Sequence, residues 1–157
     1  MGYNITFTDN SIKCKEGIEK ELIAALYEAA GEITTAAVQG SPVDMGNLKN
    51  SWTYHVEDDE LKATIGSSLQ NALWNEFGTG EWALNGKGRK TPWYVPVEGY
   101  TGKKKPTFNG KVVVVYGKDG TAFYKTNGKK PNRTLHKAFV QNKDTLRKAI
   151  EHRMKGL

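Results

Sequence analysis

The stretch Val38-Gln-Gly-Ser-Pro-Val-Asp-Met-Gly-Asn-Leu-Lys-Asn-Ser-Trp-Thr-Tyr-His-Val56 marks the point where a helical pattern gives way to a strand pattern. Gly40 and Pro42 end the preceding helix, because glycine disfavours a helix and proline cannot continue one. From Trp52 to Val56, apolar residues alternate with polar ones, a period of two that is typical of a strand. The stretch therefore predicts a helix that leads through a short turn into a sheet.

The residues before this junction predict one long helix from about Lys15 to Val38. Apolar side chains recur there at intervals of three and four residues, which aligns them on one face. These residues are Ile18, Leu22, Ala25, Leu26, Ala29, Ile33, Ala36 and Ala37. Such a face needs a partner surface, and the strand pattern that follows indicates that this surface is a sheet.

The residues after the junction predict further strands. Leu61, Ala63 and Ile65 alternate with polar residues after the acidic turn at residues 58–60, which indicates a second strand. A short element is expected at residues 71–77.

A hairpin and a closing helix are predicted in the last third of the chain. Residues 112–116 and 121–125 flank Gly117-Lys-Asp-Gly120, which is a strong hairpin signal. The helix that follows has Asn132 or Thr134 as its expected cap, and it carries an apolar stripe. The stripe consists of Leu135, Ala138, Phe139, Leu146, Ala149 and Ile150.

The order of these elements predicts an α+β fold, in which a long N-terminal helix and a C-terminal helix pack on an antiparallel sheet. The chain has 157 residues, 38% of them hydrophobic, which suits a single domain over residues 1–157 and excludes wholesale disorder.

The segment from Gly80 to Lys111 differs in composition from the rest of the chain. Its 32 residues include six glycines, three prolines and seven Lys or Arg, against two Glu. Long segments of this kind are usually mobile or functional, and ordering their backbone costs roughly 1–2 kcal/mol per residue. We therefore expect a flexible basic arm at about residues 80–111 that orders fully only against a partner. Its basic runs contain Lys87, Arg89, Lys90, Lys103, Lys104 and Lys105.

Charge is divided unevenly between the two halves of the chain. Residues 1–79 carry 5 Lys or Arg against 12 Asp or Glu, residues 80–157 carry 18 against 5, and the net charge is +6. A uniformly basic surface is typical of nucleic-acid binding. An acidic half joined to a basic half also suits head-to-tail contacts between copies in a ring, and we favour the ring.

The sequence contains no catalytic or metal-binding motif. His55, His136 and His152 are far apart, and neither a nucleophile elbow nor a phosphate-binding glycine loop is present. Glu76, which precedes Phe-Gly-Thr-Gly80, is either a general base or metal ligand, or an ion pair or backbone clamp at a subunit contact. We favour the second interpretation, because no histidine or second carboxylate lies near it in sequence. We therefore expect a protein that is not an enzyme and that has no cofactor and no metal.

The basic runs and the aromatic residues among them leave three interpretations open. They bind the phosphates and stacked bases of a nucleic acid, they keep an exposed loop soluble, or they contact the acidic half of a neighbouring copy, which we favour. A small metal-independent ribonuclease is a minor alternative, because Tyr124, Arg133 and His136 are near one another in sequence but form no motif.

The sequence also bears on location. It has no run of about 18 apolar residues, so we expect no membrane-spanning helix and no membrane partner. Its first residues lack the basic and apolar stretches of a secretory signal. Cys14 is the one cysteine, which excludes an internal disulfide. These features lead us to expect an intracellular protein in a reducing compartment.

Two segments carry a resemblance to a known family. They are Pro42-Val-Asp-Met-Gly-Asn-Leu-Lys-Asn-Ser51 and Asn71-Ala-Leu-Trp-Asn-Glu-Phe-Gly-Thr-Gly80. Together they resemble the minor structural proteins of tailed bacteriophages called tail-completion, head–tail joining or neck proteins. In that family a helix runs into a Pro-Val-Asp-Thr-Gly-x-Leu-x-x-Ser segment, and a strand pair and a Glu-Phe-Gly-Thr element follow. Met45 here replaces the usual threonine, and the similarity covers residues 41–80 and, more loosely, 131–150.

The resemblance implies a virion protein without catalysis, found in the tail or neck and, during assembly, in the host cytoplasm. It would form or complete a ring, with six copies expected, at the head–tail junction or the tail end. Its expected partners are copies of itself, other neck or tail proteins, and the DNA in the channel. The family residues would shape the turn after the long helix (Asp44, Gly46, Leu48 and Ser51) and the exit into the arm (Glu76, Phe77, Gly78 and Thr79). Trp82 and Trp93 are the candidate anchors of the arm on the next copy.

Overall fold

The computed structural model describes residues 11–42 and 46–155. That part of the chain forms three α-helices and five β-strands, with 3-10 turns at Lys49–Ser51 and Gly80–Trp82. The helices are α1 (Ser11–Gly40), α2 (Gln70–Phe77) and α3 (Thr134–Met154). The strands are β1 (Trp52–Glu57), β2 (Lys62–Ser67), β3 (Trp93–Pro96), β4 (Val113–Tyr116) and β5 (Ala122–Thr126). The predicted α+β fold with long helices at either end is confirmed.

The two long helices pack on each other and run in opposite directions. Ile33 and Ala37 of α1 lie in one buried cluster with Ala138 and Leu146 of α3. The alanines lack bulk, so the two backbones approach closely at this point. Burying Ile33 and Leu146 contributes about 1.5–3 kcal/mol each. The predicted apolar faces of the two helices therefore pack on each other at this cluster, and α1 also packs on the first two strands.

The hairpin of β1 and β2 covers α1. Its strands are antiparallel, in a register that runs from Trp52 opposite Ser67 to Glu57 opposite Lys62. Trp52 and Ile65 pack against the buried helix cluster. The alternation that predicted these strands thus places one face of the hairpin on the helix.

A separate sheet of three antiparallel strands has the order β3-β5-β4. The predicted hairpin is confirmed as β4 and β5, with Val113 opposite Lys125. β3 comes from the segment predicted as an arm, and it pairs with β5 from Trp93 opposite Thr126 to Pro96 opposite Phe123. The segment therefore contributes a strand to the sheet. Its flexibility in the free chain stays a prediction.

The described helices include none that is both long enough and apolar enough to cross a membrane. In the same part of the chain, no three His, Cys, Asp or Glu side chains gather in a way that could hold a metal ion.

Candidate functional site

The first motif segment forms the turn between α1 and β1. Leu48 is buried, and the Ser51 hydroxyl donates to the Leu48 carbonyl at 2.8 Å. Gly46 has a φ of +81°, and its carbonyl accepts from the amide of Asn50 at 3.0 Å. Asp44 lies outside the described residues. The described members of this segment therefore hold a compact turn.

A chain of hydroxyl groups joins this turn to α2. The Ser51 and Ser67 hydroxyls are 2.7 Å apart, and the amide of Leu69 donates to Ser67 Oγ at 3.1 Å. Because Ser51 already donates to a carbonyl, Ser67 supplies the proton between the two hydroxyls. The first motif segment thus fixes the entry of the helix that carries the second.

A second link ties β1 to the end of α1. Trp52 Nε1 donates to Ser41 Oγ at 2.7 Å, and the Ser41 hydroxyl donates to the Ala37 carbonyl at 2.8 Å. Ser41 is buried, so both bonds form away from water. They orient the indole over the helix cluster.

Glu76 binds the start of α3. Its two carboxylate oxygens accept from the backbone amides of Leu135 at 2.8 Å and His136 at 3.0 Å. These amides have no partner within the helix, and a negative charge is favourable at this end of the helix dipole. Glu76 is therefore a backbone clamp within the chain.

The predicted capping by Asn132 or Thr134 is wrong. The residue at the cap position is Arg133, which has a left-handed φ of 55° and makes no side-chain capping bond. Thr134 is already the first residue of the helix. Glu76 takes the place of a capping side chain. It accepts from the backbone amide of Leu135, which lies 59 residues later in the sequence.

Asn75 lies beside the clamp and is completely buried. Its Nδ2 donates to Thr134 Oγ1 at 2.6 Å, and its Oδ1 accepts from Lys129 Nζ at 3.3 Å. The Asn75 backbone carbonyl accepts from the amides of Asn132 at 2.7 Å and Arg133 at 3.2 Å. One residue of α2 thus satisfies four polar groups of the segment that enters α3.

The end of the second motif continues along the same segment. The amide of Thr79 donates to the Lys129 carbonyl at 2.9 Å, and the Lys129 amide donates to Thr79 Oγ1 at 3.0 Å. Gly78 ends α2, and its amide donates to the Trp74 carbonyl. Phe77, in contrast, points into solvent together with Leu73 and Trp74. The motif therefore has one face bound to the chain and one exposed apolar face.

Trp82 and Trp93, the predicted anchors, are half-buried within the chain. Lys130 Nζ lies 4.5 Å from the centre of the Trp82 ring, and the Arg89 guanidinium carbon lies 5.8 Å from that of Trp93. Such cation–π contacts occupy ring faces that a stacked base would need. The anchoring roles of both residues stay predictions.

The basic residues of the predicted arm are all exposed, and they lie on the connections that flank β3. They are Lys87, Arg89, Lys90, Lys103, Lys104 and Lys105.

Part of the charge asymmetry is satisfied inside the chain. Arg153 of α3 pairs with Glu28 of α1 at 2.5 Å and with Glu21 at 3.3 Å. The hydrogen bond to Glu28, followed by the charge of Glu28 and the bond to Glu21, raises the pKa of the Arg153 guanidinium. The acidic turn at residues 58–60 is exposed, and Glu60 within it pairs with Lys62 Nζ at 3.1 Å.

The three residues considered for a ribonuclease have different environments. Tyr124 is buried in β5, with its ring in edge contact with Tyr100. Arg133 and His136 are exposed at the start of α3. No hydrogen bond or ring contact among the described residues joins Tyr124 to either of them.

The sequence did not reveal that the two motif segments form one connected structure. The hydroxyl chain, the Asn75 network and the Glu76 clamp link α1, the hairpin, α2 and α3 in order. The sequence indicated a structural role for Glu76, because no histidine or second carboxylate lies near this carboxylate in sequence. The sequence did not show which groups Glu76 binds, because the amides of Leu135 and His136 come close to it only in the folded chain.

These features describe a small α+β protein whose motif residues hold its own helices and strands together. Residues 6–78 match a family described as Bacteriophage HK97-gp10, putative tail-component. The match covers just under half of the chain and includes both the turn after α1 and the Glu76 clamp. It confirms the resemblance to a family of phage minor structural proteins and supports a structural role. No curated protein and no solved structure matches the chain.

Replacing Glu76 with glutamine is expected to lower the free energy of unfolding by about 1–2 kcal/mol, because the neutral side chain has one acceptor oxygen in place of two and loses the charge at the helix end. Urea unfolding followed by circular dichroism measures the change. Glu32→Gln, an exposed site on α1, is the matched control and should change stability little. Equal effects of the two substitutions would mean that the clamp does not stabilise α3.

Proposed function

We propose that this chain is a non-catalytic structural protein of a tailed-phage virion, which forms or completes a ring at the head–tail junction or at the tail end. The observation that carries the proposal is the family match over residues 6–78, which ends within the Glu76–Thr79 element. The side chains of Glu76 and Thr79 in that element accept hydrogen bonds from backbone amides of the same chain, which supports a structural role over a catalytic one.

The proposed partners are copies of the chain and other neck or tail proteins, with DNA in the channel as a further contact. Exposed large apolar side chains are the proposed docking positions for these proteins, since apolar surface of this kind is typical of interaction sites. They include Leu73, Trp74, Phe77, Leu84, Val112, Val114, Tyr116 and Phe139. The proposed location is the virion, and the host cytoplasm during assembly.

A stop codon introduced into the gene of the encoding phage tests the proposed role. We expect particles that lose infectivity because heads and tails remain separate or tails lack a finished end, as seen by electron microscopy. A wild-type copy supplied in trans should restore joined particles. Normal, infectious particles without the protein would overturn the proposal.

Nucleic-acid binding is the alternative that the exposed basic runs favour. Replacing Lys103, Lys104 and Lys105 with glutamate should then abolish DNA binding, and the affinity of the wild type should fall steeply with salt. If those replacements change DNA binding while virion assembly stays normal, the basic segment acts separately from the structural role.

A further inference from the structure

An apolar groove lies between β2, α1 and α3. Its volume is about 500 Å³. Its wall includes Ala63 and Ile65 of β2, Leu26 and Ile33 of α1, and Phe139 and Ile150 of α3. Lys143, Arg147 and Glu151 lie at its polar rim. A groove of this size and composition on a small protein indicates a contact surface.

The hairpin leaves the groove open because it has two strands. β2 pairs with β1 on one side, and no other described strand pairs with its second side. An unpaired strand edge presents a row of N–H and C=O groups that can accept another strand. A strand added beside β2 would cover the groove and direct every second side chain into it.

The chain itself displays a strand that suits this position. β4 is an edge strand of the three-stranded sheet. Val112, just before it, and Val114 and Tyr116 within it are 51%, 40% and 75% exposed. Their spacing of two residues places them on one face, so all three can enter the same groove. Val113–Tyr116 is a β-branched and aromatic run with high strand propensity.

We propose that β4 of one copy pairs with the free edge of β2 in a second copy, and that Val112, Val114 and Tyr116 fill the groove. This inference rests on the proposed function, since it names the two faces that meet between neighbouring subunits. The faces differ, and each copy carries both, so the contact is heterologous and repeats from copy to copy, as a ring requires.

Length and charge both favour this occupant. β4 with Val112 spans five residues and β2 spans six, so the two edges match in extent. Lys111 and Lys118 flank β4, whereas Asp58, Asp59 and Glu60 precede β2, and all of these are exposed. Glu60 pairs with Lys62 Nζ at 3.1 Å, so Asp58 and Asp59 are the carboxylates that a lysine of the second copy would meet. Either strand direction brings one lysine near the acidic turn. Complementary charges of this kind speed the encounter and fix the register.

The exposed face of α2, with Leu73, Trp74 and Phe77, is the competing occupant on the same chain. A helix would fill the apolar groove but would leave the backbone groups of the β2 edge without partners. A strand would place apolar side chains in the groove and would also hydrogen-bond to the backbone of the β2 edge. Strand addition is therefore favoured over helix docking.

Three single substitutions at exposed positions test the contact by sedimentation velocity. Tyr116→Glu places a charge on the exposed apolar face of β4, and Phe139→Glu places a charge in the wall of the groove. Tyr94→Glu is the matched control, because Tyr94 is an exposed tyrosine on β3, an edge strand on the other side of the same sheet. Circular dichroism and the melting temperature establish that each variant is folded. Val114→Lys replaces Tyr116→Glu if the latter does not fold.

We expect the wild type and Tyr94→Glu to self-associate equally. Tyr116→Glu and Phe139→Glu should each weaken association by about tenfold or more, because a charge would enter an apolar groove. A mixture of these two variants should form a 1:1 dimer that grows no further, since each retains the face that the other lacks.

Several results would overturn the inference. They are a wild-type chain that stays monomeric at its solubility limit, an inert mixture of the two variants, and association that only Trp74→Glu weakens. The last would assign the groove to α2. The stop-codon experiment measures the assembly of the virion, whereas sedimentation measures this contact between copies. The proposed role and the inferred interface can therefore fail separately.

Discussion

Replacing Gly80 with alanine is expected to lower the free energy of unfolding by about 2–5 kcal/mol. Gly80 has a φ of +61°, where an alanine costs roughly 1–2 kcal/mol. A Cβ at this position would also overlap the Asn127 carbonyl oxygen and approach the Trp93 ring within 2.7 Å. Overpacking of this kind typically adds about 1–3 kcal/mol. Urea unfolding of both proteins measures the difference.

Gly86 provides the matched control for this substitution. Its φ of +70° is similar, but a Cβ there would meet nothing within 4 Å. Gly86→Ala should therefore show the cost of the left-handed backbone alone, about 1–2 kcal/mol. The excess at Gly80 measures the contact with Asn127 and Trp93. Equal losses at the two positions would show that β3 does not pack closely on the end of the second motif.

Local patterns predicted the elements whose signals lie within a few residues. The helical spacing from Ile18 to Ala37 lies inside α1, and the alternation from Trp52 to Val56 is β1. The turn at Gly117-Lys-Asp-Gly120 separates β4 from β5. Each of these patterns depends on neighbours along the chain, so one sequence was enough to find them.

The features that escaped prediction depend on distant partners. β3 is four residues long and ends in Pro96, and a proline in so short a run argues against a strand. Its place as an edge strand beside β5 resolves the conflict, because an edge strand tolerates proline. The Glu76 clamp and the groove beside β2 likewise depend on how α3 packs, which no local pattern encodes.

The family resemblance pointed to residues of the candidate site but not to the connections between them. Of the eight residues that it singled out, Ser51, Glu76 and Thr79 bond to other parts of the chain, whereas Phe77 is exposed and Asp44 lies outside the described residues. Ser67 and Asn75, which complete those contacts, did not attract attention, because serine and asparagine are common in turns. Burial is what distinguishes a structurally important polar residue from an ordinary one on the surface, and burial is known only from the structure.

Replacing Asn75 with alanine is the second substitution with a large expected effect, a loss of about 1–3 kcal/mol in the free energy of unfolding. Asn75 is completely buried, and its side chain bonds both Thr134 Oγ1 and Lys129 Nζ. Removing it takes one hydrogen bond from the buried Thr134 hydroxyl, which keeps Asn132 Nδ2 as a second partner at 2.8 Å, and a lost intramolecular hydrogen bond costs about 0.5–1.5 kcal/mol. A small cavity between α2 and α3 adds to the loss.

Asn71 lies one turn earlier on α2 and is exposed, so Asn71→Ala makes the same chemical change without the buried contacts. Its effect should stay within about 0.5 kcal/mol, as is usual for surface substitutions. Hydrogen exchange separates the two cases further, because loss of the Asn75 side chain should speed exchange of the Leu135 and His136 amides that Glu76 holds. Unchanged exchange at those amides, together with equal stability of the two variants, would mean that α2 and α3 fold independently of this buried residue.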